Sequence, residues 1–225
     1  MLKMKGMWFP KEIILVCIRW YAAYVLSYRN LEEMMGERGV CVDHSMISRW
    51  AIRFLPLLEK IFRRRKRPVG SSWRMDETYI KVRGQWKYLY RAVDKERNTI
   101  DFLLRAKRDK AAATAFFQKA IRQNGEPEKV TMDKSGANKA AMDGLNQGRE
   151  VPFVIRQIKY LNNIVEQDHR GIKRITKPMM GFKSFRAACN VLAGIELMHM
   201  IRKGQMTTPE GSDLSFAEQF YALAA

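Results

Sequence analysis

Trp73-Arg74-Met75-Asp76-Glu77-Thr78-Tyr79-Ile80-Lys81-Val82 is an apolar, strand-like run with two carboxylates at its centre. Alternation along a strand puts Arg74, Asp76 and Thr78 on one face, and Met75, Glu77 and Tyr79 on the other. Asp76 and Glu77 are therefore expected not to share a site. A carboxylate on a buried strand is costly unless something pairs with it. Outward from this run, Gly84 favours a turn, and Gln85 to Val93 reads as the next strand. Asp94 to Asn98 turns the chain again into a third strand, Thr99 to Leu104. A helix is predicted over 109–123, a strand over 128–132, a helix over 136–146, a strand over 153–158, and helices over 163–175 and 183–203. Three strands in hairpins, then strands alternating with helices, predict a mixed α/β sheet with helices on its faces.

Towards the N-terminus the pattern is helical. Ile13, Ile14, Cys17, Ile18, Tyr21 and Val25 recur at helical spacing. Ser27 suits the N-cap of a second helix carrying Leu31, Met34 and Met35, and Asp43 suits that of a third. In the third, Met46, Ile47, Trp50, Ala51 and Phe54 form an apolar face, while Ser45, Ser48, Arg49 and Arg53 point elsewhere. Pro56 is expected to break or restart this helix. Three short helices with a Ser/Arg face suit a helix-turn-helix DNA reader. A plain helical bundle with a solvated face is the alternative, and the connection Gly36 to Val42 is long for a tight turn. Charge and spacing favour DNA binding. Arg63-Arg64-Arg65-Lys66-Arg67-Pro68 follows, then Gly70, Ser71 and Ser72, the composition of a basic linker. Basic flanks favour phosphate contact there over a merely solvated tether. The expected organisation is a helical DNA-binding region over 1–62, a linker over 63–72, a catalytic domain over 73–205 and a tail over 206–225.

The chain has 41 Lys+Arg against 23 Asp+Glu, a net charge of +18. A field of that size favours polyanions, with nucleic acid ahead of an anionic membrane surface. No apolar run reaches the ~20 residues of a membrane span, and the start is basic without a secretory apolar core. Cys17, Cys41 and Cys189 are scattered and odd in number, with no zinc spacing, as expected of thiols in a reducing cytosol.

Two further carboxylates stand out. Asp133 follows the strand-like Lys129-Val130-Thr131-Met132, at a strand end where α/β sheets place ligands. Glu166 lies in the helix-like Asn163-Ile164-Val165-Glu166-Gln167-Asp168-His169-Arg170. If Asp76, Asp133 and Glu166 converge, their repulsion demands divalent metal, and in so basic a chain that points to phosphodiester chemistry. Glu166 also has a structural alternative: with Asn163 as N-cap it forms a capping-box-like pair, leaving Asp168 and His169 on the surface. Glu166, Arg170, Lys173 and Arg174 fall on one helical face. That spacing suits metal at the acid with DNA phosphate along the basic stripe, and equally a solvated salt-bridge face. The stripe Trp86, Tyr88, Tyr90 can stack bases, although packing of the sheet against a helix is the favoured reading. His44, His169 and His199 share no ligand spacing, and there is neither a Gly-rich phosphate loop nor a nucleophile elbow.

Several stretches together resemble the DDE transposases of bacterial insertion sequences, and within them the insertion-sequence-six family. These are Met75 to Val82, Tyr88-Leu89-Tyr90-Arg91-Ala92-Val93-Asp94, Asp133-Lys134, and the long run Arg156-Gln157-Ile158-Lys159-Tyr160-Leu161-Asn162-Asn163-Ile164-Val165-Glu166-Gln167-Asp168-His169. Gly181-Phe182-Lys183-Ser184 and Gly194-Ile195-Glu196-Leu197-Met198 continue the match over about residues 8–205. The resemblance implies an RNase H-like fold, a mixed five-stranded sheet flanked by helices and preceded by the helix-turn-helix region. It implies Asp76, Asp133 and Glu166 as metal ligands, and Lys173 as the basic residue seven positions after the family's Glu. The span from Asp133 to Glu166 is slightly shorter than in related enzymes, with Gly144 to Val151 as the shortened loop. The expected activity is cleavage and strand transfer of DNA with two Mg²⁺ ions about 3.5–4 Å apart, Mn²⁺ being a substitute. The expected partners are double-stranded DNA, as terminal inverted repeats and target, and a second copy of the chain in a dimer or larger synaptic multimer. The DNA-contacting set is Ser45, Ser48, Arg49, Arg53, Arg63, Arg64, Arg65, Lys66, Arg67, Arg170 and Arg174. The expected location is the bacterial cytoplasm, at the nucleoid. A structure-selective nuclease on the same fold and a non-catalytic DNA-binding regulator are the rival readings.

Overall fold

Pro10 opens helix α1 (Lys11–Ala23), whose buried side carries Ile14, Cys17, Ile18 and Tyr21. The computed structural model describes residues 7–158, 163–209 and 212–225. Ser27 caps α2 (Tyr28–Gly36) through a reciprocal pair: its hydroxyl accepts from the Asn30 amide, and Asn30 Oδ1 accepts from the Ser27 amide. Asp43 caps α3 (His44–Arg63) by accepting from the Ser45 amide at 2.7 Å.

Pro56 does not break α3, contrary to expectation. A proline inside a helix strands the carbonyl four residues before it. That carbonyl belongs to Ile52, and Asn190 Nδ2 donates to it at 2.9 Å. Asn190 lies on α7 (Phe185–Arg202), which packs against α3 so closely that a Cβ on Gly194 would stand 2.5 Å from Leu55 Cδ1. The repair of the helix therefore comes from the far end of the chain.

Two compact units are present. The helical one comprises 1–67 and 172–225, and the other comprises 68–171. The expected catalytic segment 73–205 runs across this division. In the helical unit α8 (Phe216–Tyr221) buries Phe220, with Leu223 and Ala224 beside it. Arg19 Nε donates to Tyr221 Oη at 3.0 Å, and Lys11 Nζ bonds the Ala224 carbonyl. Within the expected tail, residues 216–224 are thus packed structure. The expected basic linker is partly structured too. Arg63 ends α3 and pairs with Glu59, Arg65 donates to the Ala222 carbonyl, and Lys66 bridges Met206.

The second unit is built on strands β1 (Ser72–Val82), β2 (Gln85–Val93), β3 (Thr99–Arg105), β4 (Lys129–Met132) and β5 (Val154–Gln157). Their order is β3-β2-β1-β4-β5. β1, β2 and β3 pair antiparallel, while β4 joins β1 and β5 joins β4 in parallel. This is the RNase H-like arrangement. Arg83 and Gly84, both at positive φ, make the two-residue turn between β1 and β2. Helices α4 (Lys110–Asn124) and α5 (Gly136–Asn146) connect the later strands, and parallel pairing requires such crossovers. They cover one sheet face with a core of Trp73, Met75, Tyr90, Phe116, Val130 and Met142. Helix α6 (Asn163–Thr176) follows β5. Lys159-Tyr160-Leu161-Asn162 of the long family-like run, and the N-cap of α6, lie outside the described residues. No helix among the described residues is long and apolar enough to cross a membrane, and the three cysteines are free thiols.

Candidate active site

β4 accompanies β1 only along Ser72 to Arg74. Beyond Arg74, β1 continues with an open edge on that side, and Asp76 and Glu77 are the second and third residues past it. Asp133 stands immediately after β4, in the turn into α5. The three carboxylates meet: one oxygen of each of Asp76, Glu77 and Asp133 lies within 4.8 Å of the others. The expectation that Asp76 and Glu77 cannot share a site is corrected here. Alternation separates side chains where a sheet is continuous; at an edge a glutamate can reach round the strand.

Glu77 is held on the α5 side. Its side chain is 4% exposed, and Asn138 Nδ2 donates to it at 2.9 Å. Arg108 Nη2 bridges Glu77 and Asp133 at 3.2 and 3.1 Å. Burial opposes the charge on Arg108, but Glu77, then Asp133 and Tyr79, more than offset it and raise its pKa.

Asp76 is held on the opposite side, under α6. His169 Nδ1 is 3.8 Å from Asp76 Oδ2. Glu166 precedes His169 by three residues, so the two share a helix face. Burial first, then the charge of Glu77, with smaller parts from Asp133 and Glu166, push the Asp76 carboxyl up to about 7. Glu166 is exposed and is not one of the three clustered acids, but its charge reaches Asp76.

Two contacts fix this end of α6. Arg91, facing Asp76 across the β1–β2 ladder, makes a fully buried ion pair with Asp168 at 2.8 Å. Arg97 Nη2 donates to Gln167 at 3.0 Å. Asp168 and His169 are buried, not surface residues as in the capping reading. Sequence reading missed Glu77, Arg108, Asn138, Asp168 and His169 as parts of the site. Asp168 and His169 stand in the family-like run, which was the available signal for them.

The donor set fits a hard divalent cation, which takes oxygen ligands. Asp133 Oδ1 and Asn138 Oδ1 are buried and without a hydrogen-bond partner, a costly state that a cation or its water would relieve. Arg108 meanwhile places positive charge between two of the acids.

Other expected site residues are distributed over both units. Lys173 and Arg174 are exposed on the later part of α6, which belongs to the helical unit, whereas the exposed Arg170 belongs to the sheet unit. Ser45, Ser48 and Arg49 line a cleft of about 890 Å³ in the helical unit, with Tyr28, Met179 and Lys183 also on its walls. Arg53 and Arg64 are exposed. Of the aromatic stripe, Tyr90 is buried and stacks on Phe116 of α4, but Trp86 is 60% exposed. The packing reading therefore holds for the inner end alone.

A family model described as a DDE domain matches residues 70–205. A transposase for the insertion sequence-like element IS431mec of Staphylococcus aureus is 42% identical over 197 residues, 87% of this chain and 86% of that protein. The chain belongs to the DDE transposases of bacterial insertion sequences. The transposase for insertion sequence element IS257 in transposon Tn4003, also from Staphylococcus aureus, is 41% identical over the same share. Both are of the insertion-sequence-six family. Among solved structures, the HTLV-2 integrase catalytic core domain in complex with magnesium covers 68% of this chain and 97% of its own, at 15% identity and a TM-score of 0.44. The catalytic core domain of BIV integrase gives 13% identity and 0.43. As a member of this transposase family the chain is a metal-dependent polynucleotidyl transferase.

Proposed function

We propose that this transposase cuts and joins DNA at the Asp76–Asp133–Glu166 site, with Glu77 as a fourth acid of the cluster. The observation that carries this reading is the gathering of Asp76, Glu77 and Asp133 within 4.8 Å, beneath a helix whose Glu166 raises the Asp76 pKa. Asp76, Asp133 and Glu166 would hold Mg²⁺, two ions in all, with Mn²⁺ as a substitute. Divalent ions there supply activation of the attacking hydroxyl and stabilisation of the leaving oxygen. The chain's own residues do the rest. Asn138 fixes Glu77, while the buried Arg91–Asp168 pair holds the α6 end that carries Glu166. Asp76 must shed its proton to act as a ligand. Lys173, Arg170 and Arg174 would lie along DNA phosphates, where such side chains position the duplex without reading sequence.

Ser45, Ser48, Arg49 and Arg53 would read the terminal inverted repeats, and Arg63 to Arg67 would contact backbone phosphate. Net charge supports a polyanionic partner. Two DNA ends must be brought to one target, so the active form is a dimer or larger assembly on DNA, in the cytoplasm at the nucleoid. The test is strand transfer with inverted-repeat DNA and Mg²⁺, comparing wild type with Asp76→Asn, Asp133→Asn and Glu166→Gln. Joining should vanish in each while DNA binding survives. Full joining by any one variant removes that residue from the site, and cutting without joining by the wild type would favour a nuclease.

A further inference from the structure

The aromatic stripe on the sheet changes character along its length. Tyr90 lies under α4, but beyond it the same face is uncovered, and Tyr79 and Trp86 are 52% and 60% exposed. Their rings form one group with Tyr88: Tyr79 meets Trp86 edge-on at 6.3 Å and Tyr88 at 5.5 Å. The ladder pairs Tyr79 with Tyr88 and Lys81 with Trp86, and Tyr88 with Arg105 on β3. Isolated exposed aromatics need no explanation, but a contiguous group rimmed by cations does. On that face Lys81 stands beside Trp86 and Arg105 beside Tyr88, Arg83 lies in the adjoining turn, and residues 78–91 hold no acid.

We propose that this outer half of the β1–β2 hairpin is a stacking ledge for unpaired bases of the DNA strand whose phosphate sits at the acid cluster. The inference rests on the reading of that cluster as the site of DNA chemistry. Glu77, Tyr79 and Lys81 share one face of β1, at successive steps of about 7 Å. Trp86, beside Lys81, is therefore about 14 Å from Glu77 along the sheet, within reach of the first few nucleotides beyond a scissile phosphate. Charge selects the occupant. A second copy of a chain with net charge +18 is repelled by a basic rim, whereas a nucleotide offers both a π-face for the rings and a phosphate for Lys81 and Arg105. Stacking of this kind tolerates any base, because every base has a π-face.

The experiment is fluorescence anisotropy of the full chain, without divalent metal, on two DNAs sharing one duplex: blunt, or ending in a short unpaired thymine tail. The wild type should bind the tailed DNA about tenfold more tightly, as expected of a stacked base. Trp86→Ala and Tyr79→Ala should each remove most of that advantage, Trp86→Phe should keep most of it, and blunt-duplex affinity should stay constant. A fluorescent base analogue in the tail should be quenched by the wild type and not by Trp86→Ala. Equal wild-type affinity for both DNAs, or an undiminished advantage in Trp86→Ala, overturns the ledge. So does an equal loss on blunt and tailed DNA. If Trp86→Ala instead dissociates a DNA-free multimer in sedimentation velocity, the patch is a protein interface and the proposal fails. Strand transfer by the wild type on blunt ends is read separately, so failure of the ledge is not confused with failure of the acid site.

Discussion

Asp76→Asn should stabilise the metal-free protein at pH 8 and leave its stability unchanged at pH 4. The Asp76 carboxyl is only 18% exposed. Burial, then Glu77 and more weakly Asp133 and Glu166, raise it from an ordinary 3.8 to about 7. Between those two values the folded chain keeps a proton that the unfolded chain has released. Stability therefore falls as pH rises through that window, and the loss is complete above about pH 7. The gap corresponds to about 4 kcal/mol at its full size. Asparagine carries no charge at any of these pH values and escapes the loss. For a chain of this length that is roughly a 10 °C difference in midpoint. Thermal unfolding followed by circular dichroism in a chelating buffer, from pH 4 to pH 8, reads it directly. Adding Mg²⁺ at pH 8 should raise the wild-type midpoint and narrow the gap, because a bound cation favours the ionised carboxylate. The reasoning is refuted if Asp76→Asn is no more stable than wild type at pH 8, or if its advantage is as large at pH 4. Either result would mean that Asp76 is already compensated without metal.

Arg108→Ala should lower the Mg²⁺ concentration that half-saturates the thermal shift by several-fold, since the guanidinium no longer shares Glu77 and Asp133 with the incoming cation; an unchanged or higher value counts against competition at these oxygens. Asn190→Ala should destabilise the chain by about 1–3 kcal/mol in denaturant unfolding, by leaving the Ile52 carbonyl unsatisfied. That loss should shrink when Pro56→Ala restores the amide that bonds Ile52, and a cycle showing simple additivity would break the link between the two.

Much of the architecture could be read locally. The reciprocal Ser27–Asn30 cap and the Asp43 cap set the starts of α2 and α3 from side chains within three residues. The helix predicted over 136–146 is α5, and Gln85 to Val93 is β2. What could not be read depends on partners far along the chain. Continuity of α3 through Pro56 needs an amide 138 residues away from Ile52. The approach of Glu77 to Asp76 needs β4 to stop pairing at Arg74, a length that alternation within β1 does not encode. The divided fate of Trp86 and Tyr90 depends on how far α4 reaches over the sheet, since both residues obey the same period of two. Glu166 was visible as an acid in a family-like run, but its effect on Asp76 depends on α6 lying over the sheet, which spacing in sequence leaves open.

The helical unit draws on both ends of the chain, with residues 68–171 lying between its two parts in sequence. On the ribosome, Leu55 and Ile52 emerge long before Gly194 and Asn190, their partners on α7. The first three helices thus keep this apolar surface uncovered until α7 has been made. A copy of the element whose reading frame is cut short between the sheet and α7 leaves the face of α3 around Ile52 and Leu55 without its partner.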